Sequence, residues 1–296
     1  MTAARRSGTV AVVGRPNAGK STLVNALVGE KVAIVSDKPQ TTRRRVLGIR
    51  DAPEGQIVFV DTPGLHKPLH RLNRAMLDEA LEAIAEVDVR LLVVDASVPS
   101  GGGDEWALDL LARSPEPRVA ALNKIDVVAK PRLLPRIADL AGRGIFREIV
   151  PVSALTGDGL DLLLPVIQAL LPEGDELFPE GTVTTTEETV RIAEVIREKL
   201  LERTREEIPF GLGVVLDSVR KDEEKDLVVV TASIVVDKEN HRRIVIGTGG
   251  TLIRDAGTAA RRELEATFGS RFYLDLHVRA VPGWREDARF LSTLSS

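Results

Sequence analysis

Residues Gly14-Arg15-Pro16-Asn17-Ala18-Gly19-Lys20-Ser21 read GRPNAGKS, between an apolar run, Thr9 to Val13, and a helix-like stretch, Thr22 to Val28. Strand, glycine-bearing loop and helix in this order form a phosphate cradle. The glycines let successive backbone N–H groups point at α- and β-phosphates. Lys20 can lie along the β/γ-phosphates, and the Ser21 hydroxyl suits Mg²⁺. The helix start that follows, with Thr22 in its first turn, adds a fixed positive dipole end. The pattern predicts a nucleoside triphosphate site.

Outward from this loop, apolar runs alternate with helical patterns from Thr9 to Leu171, which predicts an α/β domain with a mainly parallel sheet. The expected buried strands are Val10–Val13, Ile57–Val60, Leu91–Val94, Val119–Leu122 and Ile149–Val152. A further strand at Arg45–Ile49 reaches Ile57–Val60 through only Asp51-Ala52-Pro53-Glu54-Gly55, so that pair must be antiparallel.

The strand ends carry chemistry, as expected where a ligand sits at the carboxyl edge of a sheet. Asp61-Thr62-Pro63-Gly64 places a carboxylate where Mg²⁺ is held in P-loop enzymes, and Gly64 lets a backbone N–H approach the γ-phosphate. Asn123-Lys124-Ile125-Asp126 reads as a base-selecting loop. The Asp126 carboxylate accepts from guanine N1–H and its amino group, whereas adenine would leave it unpaired. Lys124 can lay its stem along the base, and Asn123 can tie this loop to the P-loop. Ser153-Ala154 follows the last strand, where a backbone amide could meet the guanine oxygen. In the segment Ser36–Arg43, a hydroxyl could complete the Mg²⁺ shell while the γ-phosphate is present; Thr42 is the first choice and Thr41 the second. Lys20, Thr42 and Gly64 are thus the candidate catalytic set, and Ser21, Thr42 and Asp61 the candidate metal ligands.

The bulk numbers narrow the class. At 296 residues, two domains are expected, and 43% hydrophobic with 28% charged residues is ordinary for a soluble globular chain. A formal net charge of −4 leaves nucleic-acid contact to a local patch. The absence of cysteine excludes disulfides, thiol nucleophiles and Cys-zinc sites. No stretch approaches the roughly 18 apolar residues of a membrane span. The expected location is the cytoplasm.

Composition shifts at Pro172–Gly181, rich in Pro, Gly and acid, which reads as a linker too broken to carry a rigid movement. The expected organisation is 1–172, a nucleotide domain; 173–187, a linker; and 188–296, a second domain. In that domain Ile192, Ala193, Ile196 and Leu200 recur at helical spacing. Two β-rich runs follow, Leu212–Val219 and Leu227–Val236, then Thr251–Phe268 as a helix and Phe272–Val281 alternating as a strand. Between them lies Val245-Ile246-Gly247-Thr248-Gly249-Gly250. From Lys238 to Arg262 six basic side chains (Lys238, Arg242, Arg243, Arg254, Arg261, Arg262) face only Glu239 and Asp255, enough to attract a phosphate backbone.

With these motifs in order, the first domain resembles the TrmE–Era–EngA–septin group of P-loop GTPases. Gln40–Arg43 (QTTR), Asp61–Pro68 (DTPGLHKP) and Val245–Gly250 (VIGTGG) narrow the likeness to the Era family of ribosome-assembly GTPases, across essentially the whole chain. The resemblance implies a GTPase joined to a type II KH domain, whose GxxG loop clamps about four nucleotides of RNA backbone. It therefore implies GTP/GDP and Mg²⁺ as ligands, and small-subunit rRNA and the assembling small subunit as partners. Arg243, Ile246, Gly247, Thr248, Gly249, Gly250 and Arg254 become the candidate RNA contacts. The type II order requires Lys238–Ile246 to be a short helix, against the strand propensity of Arg242–Ile246. The family likeness also carries peripheral membrane association, and the chain is expected to be a monomer. Leu65 stands where Ras-like enzymes place a water-orienting glutamine. Family members with a hydrophobic residue there include users of K⁺, and Asn17 occupies its ligand position. Two rival classes are a non-enzymatic RNA-binding scaffold with a structural nucleotide site and a P-loop metabolite kinase; a third alternative is a membrane-associated regulatory GTPase.

Overall fold

A computed structural model describes residues 5–38, 40–65, 70–113 and 115–293. Two compact units are present. The larger runs to Thr185; the smaller holds the chain from Thr186 onward, with Ser36–Thr41 and residues 70–73.

The larger unit is a six-stranded sheet built from β1 (Gly8–Val13), β2 (Val46–Ala52), β3 (Gly55–Asp61), β4 (Val89–Asp95), β5 (Arg118–Asn123) and β6 (Glu148–Pro151), in the order β2-β3-β1-β4-β5-β6. All neighbours are parallel except β2 with β3, the antiparallel pair that its short turn demanded. Five helices cover it: α1 (Lys20–Val28), α2 (Arg71–Ala85), α3 (Gly102–Ala112), α4 (Lys130–Gly142) and α5 (Leu160–Leu170). Alternate residues of β1 divide between two cores. Val10 and Val12 pack with Leu23, Leu27, Leu163 and Ile167 of α1 and α5. Ala11 and Val13 pack with Ala83, Leu108 and Leu133 of α2, α3 and α4. Burial on both faces is why these strands read as continuous apolar runs. Strand order reverses beside β1, so the loop after it opens at a switch point of the sheet.

The segment read as a linker is stapled to β2 and β3. Gln56, fully buried on β3, accepts from the N–H groups of Leu177 (3.0 Å) and Phe178 (2.9 Å) and donates to the Phe178 carbonyl at 3.0 Å. Further along, Ile49 N–H donates to Val183 O (2.8 Å), and the Thr184 hydroxyl to Leu47 O (2.6 Å). Composition does not reveal these bonds, because glycine and proline report only local freedom. Its backbone groups find partners far away in sequence.

The smaller unit runs α6 (Glu188–Arg203), β7 (Gly213–Asp222), β8 (Leu227–Val236), α7 (Glu239–Ile246), α8 (Thr251–Phe268), β9 (Arg271–Ala280) and α9 (Ala288–Thr293). β7 pairs antiparallel and β9 parallel with β8. Ile196 and Leu200 of α6, Ala260 and Leu264 of α8, and Val230, Ala232 and Ile234 of β8 form its core. The expected helix at Lys238–Ile246 is present, with Lys238 as its extended N-cap. Buried His241 and Val245, four residues apart, pin one face, and Arg242 Nε donates to Val278 O of β9 at 3.0 Å. Tertiary packing thus overrides β-branched propensity.

Candidate functional site

The P-loop leaves β1 and enters α1 through Gly19, whose φ is +94°. A Cβ there would fall 2.3 Å from Asn123 Nδ2, so only glycine fits. Lys20 is buried and donates to Gly14 O (3.3 Å) and Arg15 O (3.1 Å). Burial lowers its pKa to about 8, with the Asp61 charge pulling the other way.

Three oxygens converge beside it. Ser21 Oγ donates to Asp61 Oδ2 at 2.6 Å and lies 2.8 Å from Thr42 Oγ1, which itself donates to Asp61 Oδ2 at 3.2 Å. Asp61 is fully buried. That burial raises its pKa, offset in part by Lys20 and the two hydroxyls. Its Oδ1 is buried with no hydrogen-bond partner among the described residues. A hard, oxygen-only set with an unspent carboxylate oxygen fits Mg²⁺. The Thr41 hydroxyl turns instead to Lys38 O at 2.6 Å, so geometry separates the two threonines. Thr62 also turns away, donating to Val12 O at 2.8 Å and closing β3 onto β1. Pro63 is buried. Gly64 rests against Pro16, whose Cα would lie 2.9 Å from a Cβ at that position. Leu65 is buried in the core shared with α2 and α3. Of the motif Asp61–Pro68, residues 66–68 lie outside the described residues.

On the base side, Asn123 binds two loops at once. Its Nδ2 donates to Ala18 O and its Oδ1 accepts from Ala154 N, both at 2.9 Å. Asp126 accepts the Ser153 hydroxyl at 2.7 Å, so Ser153 contributes a side chain where only a backbone amide was expected. Lys124 donates to Asn17 O (2.8 Å) and to Asp95 Oδ2 (2.7 Å). Arg15 and Thr22 border the cradle half-buried, while Asn17, at φ +62°, is exposed. Asp95 was not singled out from sequence. Its signal was an acidic residue closing the apolar strand Leu91–Val94, the same pattern that marked Asp61.

In the smaller unit the GxxG turn links α7 to α8. Thr248 and Gly249 are exposed, and Ile246 and Gly250 are half-buried. Arg243 and Arg254 are exposed beside it. Arg242 pairs with Glu239 at 2.7 Å and Arg261 with Glu265 at 3.1 Å, so the basic patch is smaller than the residue count implied. Ile244, 48% exposed, is an apolar surface residue on α7 that sequence reading passed over.

A parallel sheet with this cradle, joined to a helix–strand–strand–helix–helix–strand unit around GxxG, defines a P-loop GTPase coupled to a KH domain. Residues 9–124 match the family described as 50S ribosome-binding GTPase, and residues 207–285 the KH domain. GTPase Era of Geobacter metallireducens is 44% identical over 98% of this chain and 97% of its own length. GTPase Era of Heliobacterium modesticaldum is 43% identical over 95% and 94%. Two solved structures, each 38% identical and covering 98% of both chains, are similarly close. One is an Aquifex aeolicus Era variant bound to GDP and AlF4⁻ (TM-score 0.94), the other Era with MgGDPNP and nucleotides 1506–1542 of 16S ribosomal RNA (TM-score 0.95). The chain belongs to the Era family of GTPases.

Proposed function

We propose that the chain is a GTP-driven RNA-binding switch. It hydrolyses GTP to GDP and phosphate at the P-loop, binds small-subunit rRNA through the KH unit, and so assists maturation of the small ribosomal subunit. The observation that carries the reading is the convergence of Ser21, Thr42 and Asp61 beside Lys20, with a guanine-matched carboxylate, Asp126, on the neighbouring loop. The relatives bind a GTP analogue, GDP with a phosphoryl mimic, and 16S rRNA. The family description names the large subunit; the full-length relative with its 16S RNA is the better guide, because its similarity includes the KH unit.

Mg²⁺, when bound, neutralises charge on β- and γ-phosphate oxygens. It would be held by Ser21, Thr42 and Asp61. P-loop N–H groups orient the phosphates, and the Lys20 ammonium stabilises negative charge that builds during transfer. Among the described residues of its loop segment none is a buried apolar anchor, as suits a Thr42 that engages in one nucleotide state only. Leu65 offers water no hydrogen bond, so turnover without a partner is slow. Asn17 is the residue to hold a K⁺ ion that would supply charge instead. Residues 1–172 form the GTPase part and 188–296 the RNA-binding part, joined by 173–187. Gly247–Gly250 approach RNA backbone, Arg243 and Arg254 supply charge, and Ile246 lines the base side. No helix among the described residues is long and apolar enough to cross a membrane. We place the protein in the cytoplasm as a monomer.

Single-turnover cleavage of GTP, with Lys20→Ala as the blank, tests the reading beside binding of the rRNA segment seen in the relative. Slow cleavage lost in Lys20→Ala is expected. RNA binding without any cleavage would make the chain a scaffold and overturn it.

A further inference from the structure

Asp95 closes β4 with its carboxylate almost completely buried, its side chain 6% exposed, at the seam between the P-loop and the base-side loop. Two cations from those two loops meet it. Lys124 Nζ donates to Oδ2 at 2.7 Å, and Arg15 Nη2 lies 3.5 Å from the same oxygen. The other oxygen, Oδ1, accepts from Ser97 N at 2.9 Å and from the Ser97 hydroxyl. Burial alone would raise the Asp95 pKa; the Lys124 and Ser97 hydrogen bonds and the Lys124 charge outweigh it and hold the group below its ordinary value, ionised. Lys124 also donates to the Asn17 carbonyl of the P-loop, 2.8 Å away. Arg15 in turn stands 3.7 Å from Asp104 of α3, a second buried carboxylate.

We infer that Asp95 is a positioning residue for guanine nucleotides: it fixes the Lys124 ammonium against the P-loop, and so holds the base-side wall of the site at a set distance from the phosphates. A lysine is a compact charge on a flexible four-carbon stem that samples many rotamers when unheld. Anchoring its head at two points extends the stem and spends that freedom before the ligand arrives, which is where affinity is gained. The paired carboxylate also lets Arg15 and Lys124, one from each loop, approach without repulsion. Asp126 reads the base; Asp95 sets where the reading wall stands. The inference rests on Lys124 being the base-side residue.

The test is GDP dissociation from the full chain in a double-mutant cycle of Asp95→Asn and Lys124→Ala. If Asp95 acts through Lys124, Asp95→Asn speeds GDP release about 10- to 100-fold, the range for a lost charge-assisted hydrogen bond. In the Lys124→Ala background the same change adds less than about threefold. Equal factors in both backgrounds would overturn the inference and leave Asp95 a structural residue. A Lys124→Ala variant that releases GDP at the unmodified rate would overturn the base-side reading of Lys124 itself, and this inference with it. Should Asp95→Asn fail to fold, Ser97→Ala removes one donor that orients the carboxylate. It is expected to speed release about two- to fivefold, and no change there would also overturn the inference.

Discussion

The nucleotide cradle and the GxxG turn are both glycine-bearing loops that enter helices, yet they are built in opposite ways. The cradle is laced by buried side chains: Asn123 reaches Ala18 and Ala154, Ser153 reaches Asp126, and Asp95 reaches Lys124. Its glycines are required by the protein's own atoms, as at Gly19 against Asn123. The GxxG turn is held by backbone hydrogen bonds, Gly247 N to Arg243 O at 3.0 Å and Gly250 N to Gly247 O at 3.1 Å. Gly249, at φ +59°, would place a Cβ in open space, with no atom within 4 Å. The cradle is glycine-rich so that protein can pack on it; Gly247 meets the same demand in the GxxG turn, with Leu252 N 2.8 Å from a Cβ there, but the tip of that turn is open. A ligand-shaped cradle can be made rigid in advance, while a strand of RNA needs an open approach to the main chain.

The contrast predicts different failures. The largest belongs to Asp126→Asn, which turns an acceptor into a donor at the residue proposed to read guanine by hydrogen bonds. GTP affinity should drop at least about 1,000-fold, and xanthosine triphosphate should gain. Competition between the two nucleotides measures it, and unchanged GTP binding removes Asp126 from the reading role. Asn123→Ala comes next. It strips partners from Ala18 O and Ala154 N, so about 1–3 kcal/mol should be lost from unfolding of the ligand-free chain as well as from GDP binding. Thr248→Asp with Gly249→Asp should do the reverse. RNA affinity falls about tenfold or more at low salt and recovers little when salt is raised, since every arm then binds weakly. GDP affinity does not move, and stability changes by no more than roughly 1 kcal/mol for an aspartate at positive φ. If the GxxG pair destabilises the chain as much as Asn123→Ala does, the two loops are not built differently after all.

What was legible in sequence follows the same division. The apolar runs gave the strands of the sheet, because a strand buried on both faces has no alternation to blur. The convergence of Ser21, Thr42 and Asp61 was legible because the proposed chemistry demands particular residues at fixed spacing. The antiparallel β2–β3 pair was legible because a five-residue turn permits nothing else. Links between distant loops were hidden. Nothing near Asp95 in the chain announces that Lys124 and Arg15 come to it, and nothing near Ser153 announces Asp126. The helix Glu239–Ile246 was hidden in local propensity for a related reason: His241, Val245 and Arg242 find their partners on other elements. Only the family likeness predicts it.

The smallest expected effect bears on the segment that composition read as loose. By the comparison above, order comes from side chains that hold a loop's backbone groups, and Gln56 does this for Leu177 and Phe178. It also donates to Asp51 Oδ1 at 2.8 Å, while Asp51 Oδ2 accepts from Gly181 N at 2.8 Å. The hydrogen bonds from Gln56 and Gly181 lower the Asp51 pKa from 3.8. A depressed carboxylate contributes above its unfolded pKa and loses that contribution as pH falls through the folded value. The Gly181 end of the staple should therefore loosen only below about pH 4. Gln56→Leu should leave the buried volume nearly filled and cost about 1 kcal/mol, much of it as local opening, since the freed N–H groups reach water. Hydrogen exchange at Leu177 and Phe178 should quicken about tenfold, with the β1 and β4 amides unaffected. The Asp51 titration should move back toward its ordinary value in the same variant. If those two amides already exchange at the unprotected rate in the unmodified chain, the staple does not hold, and glycine and proline content was the better guide to this segment.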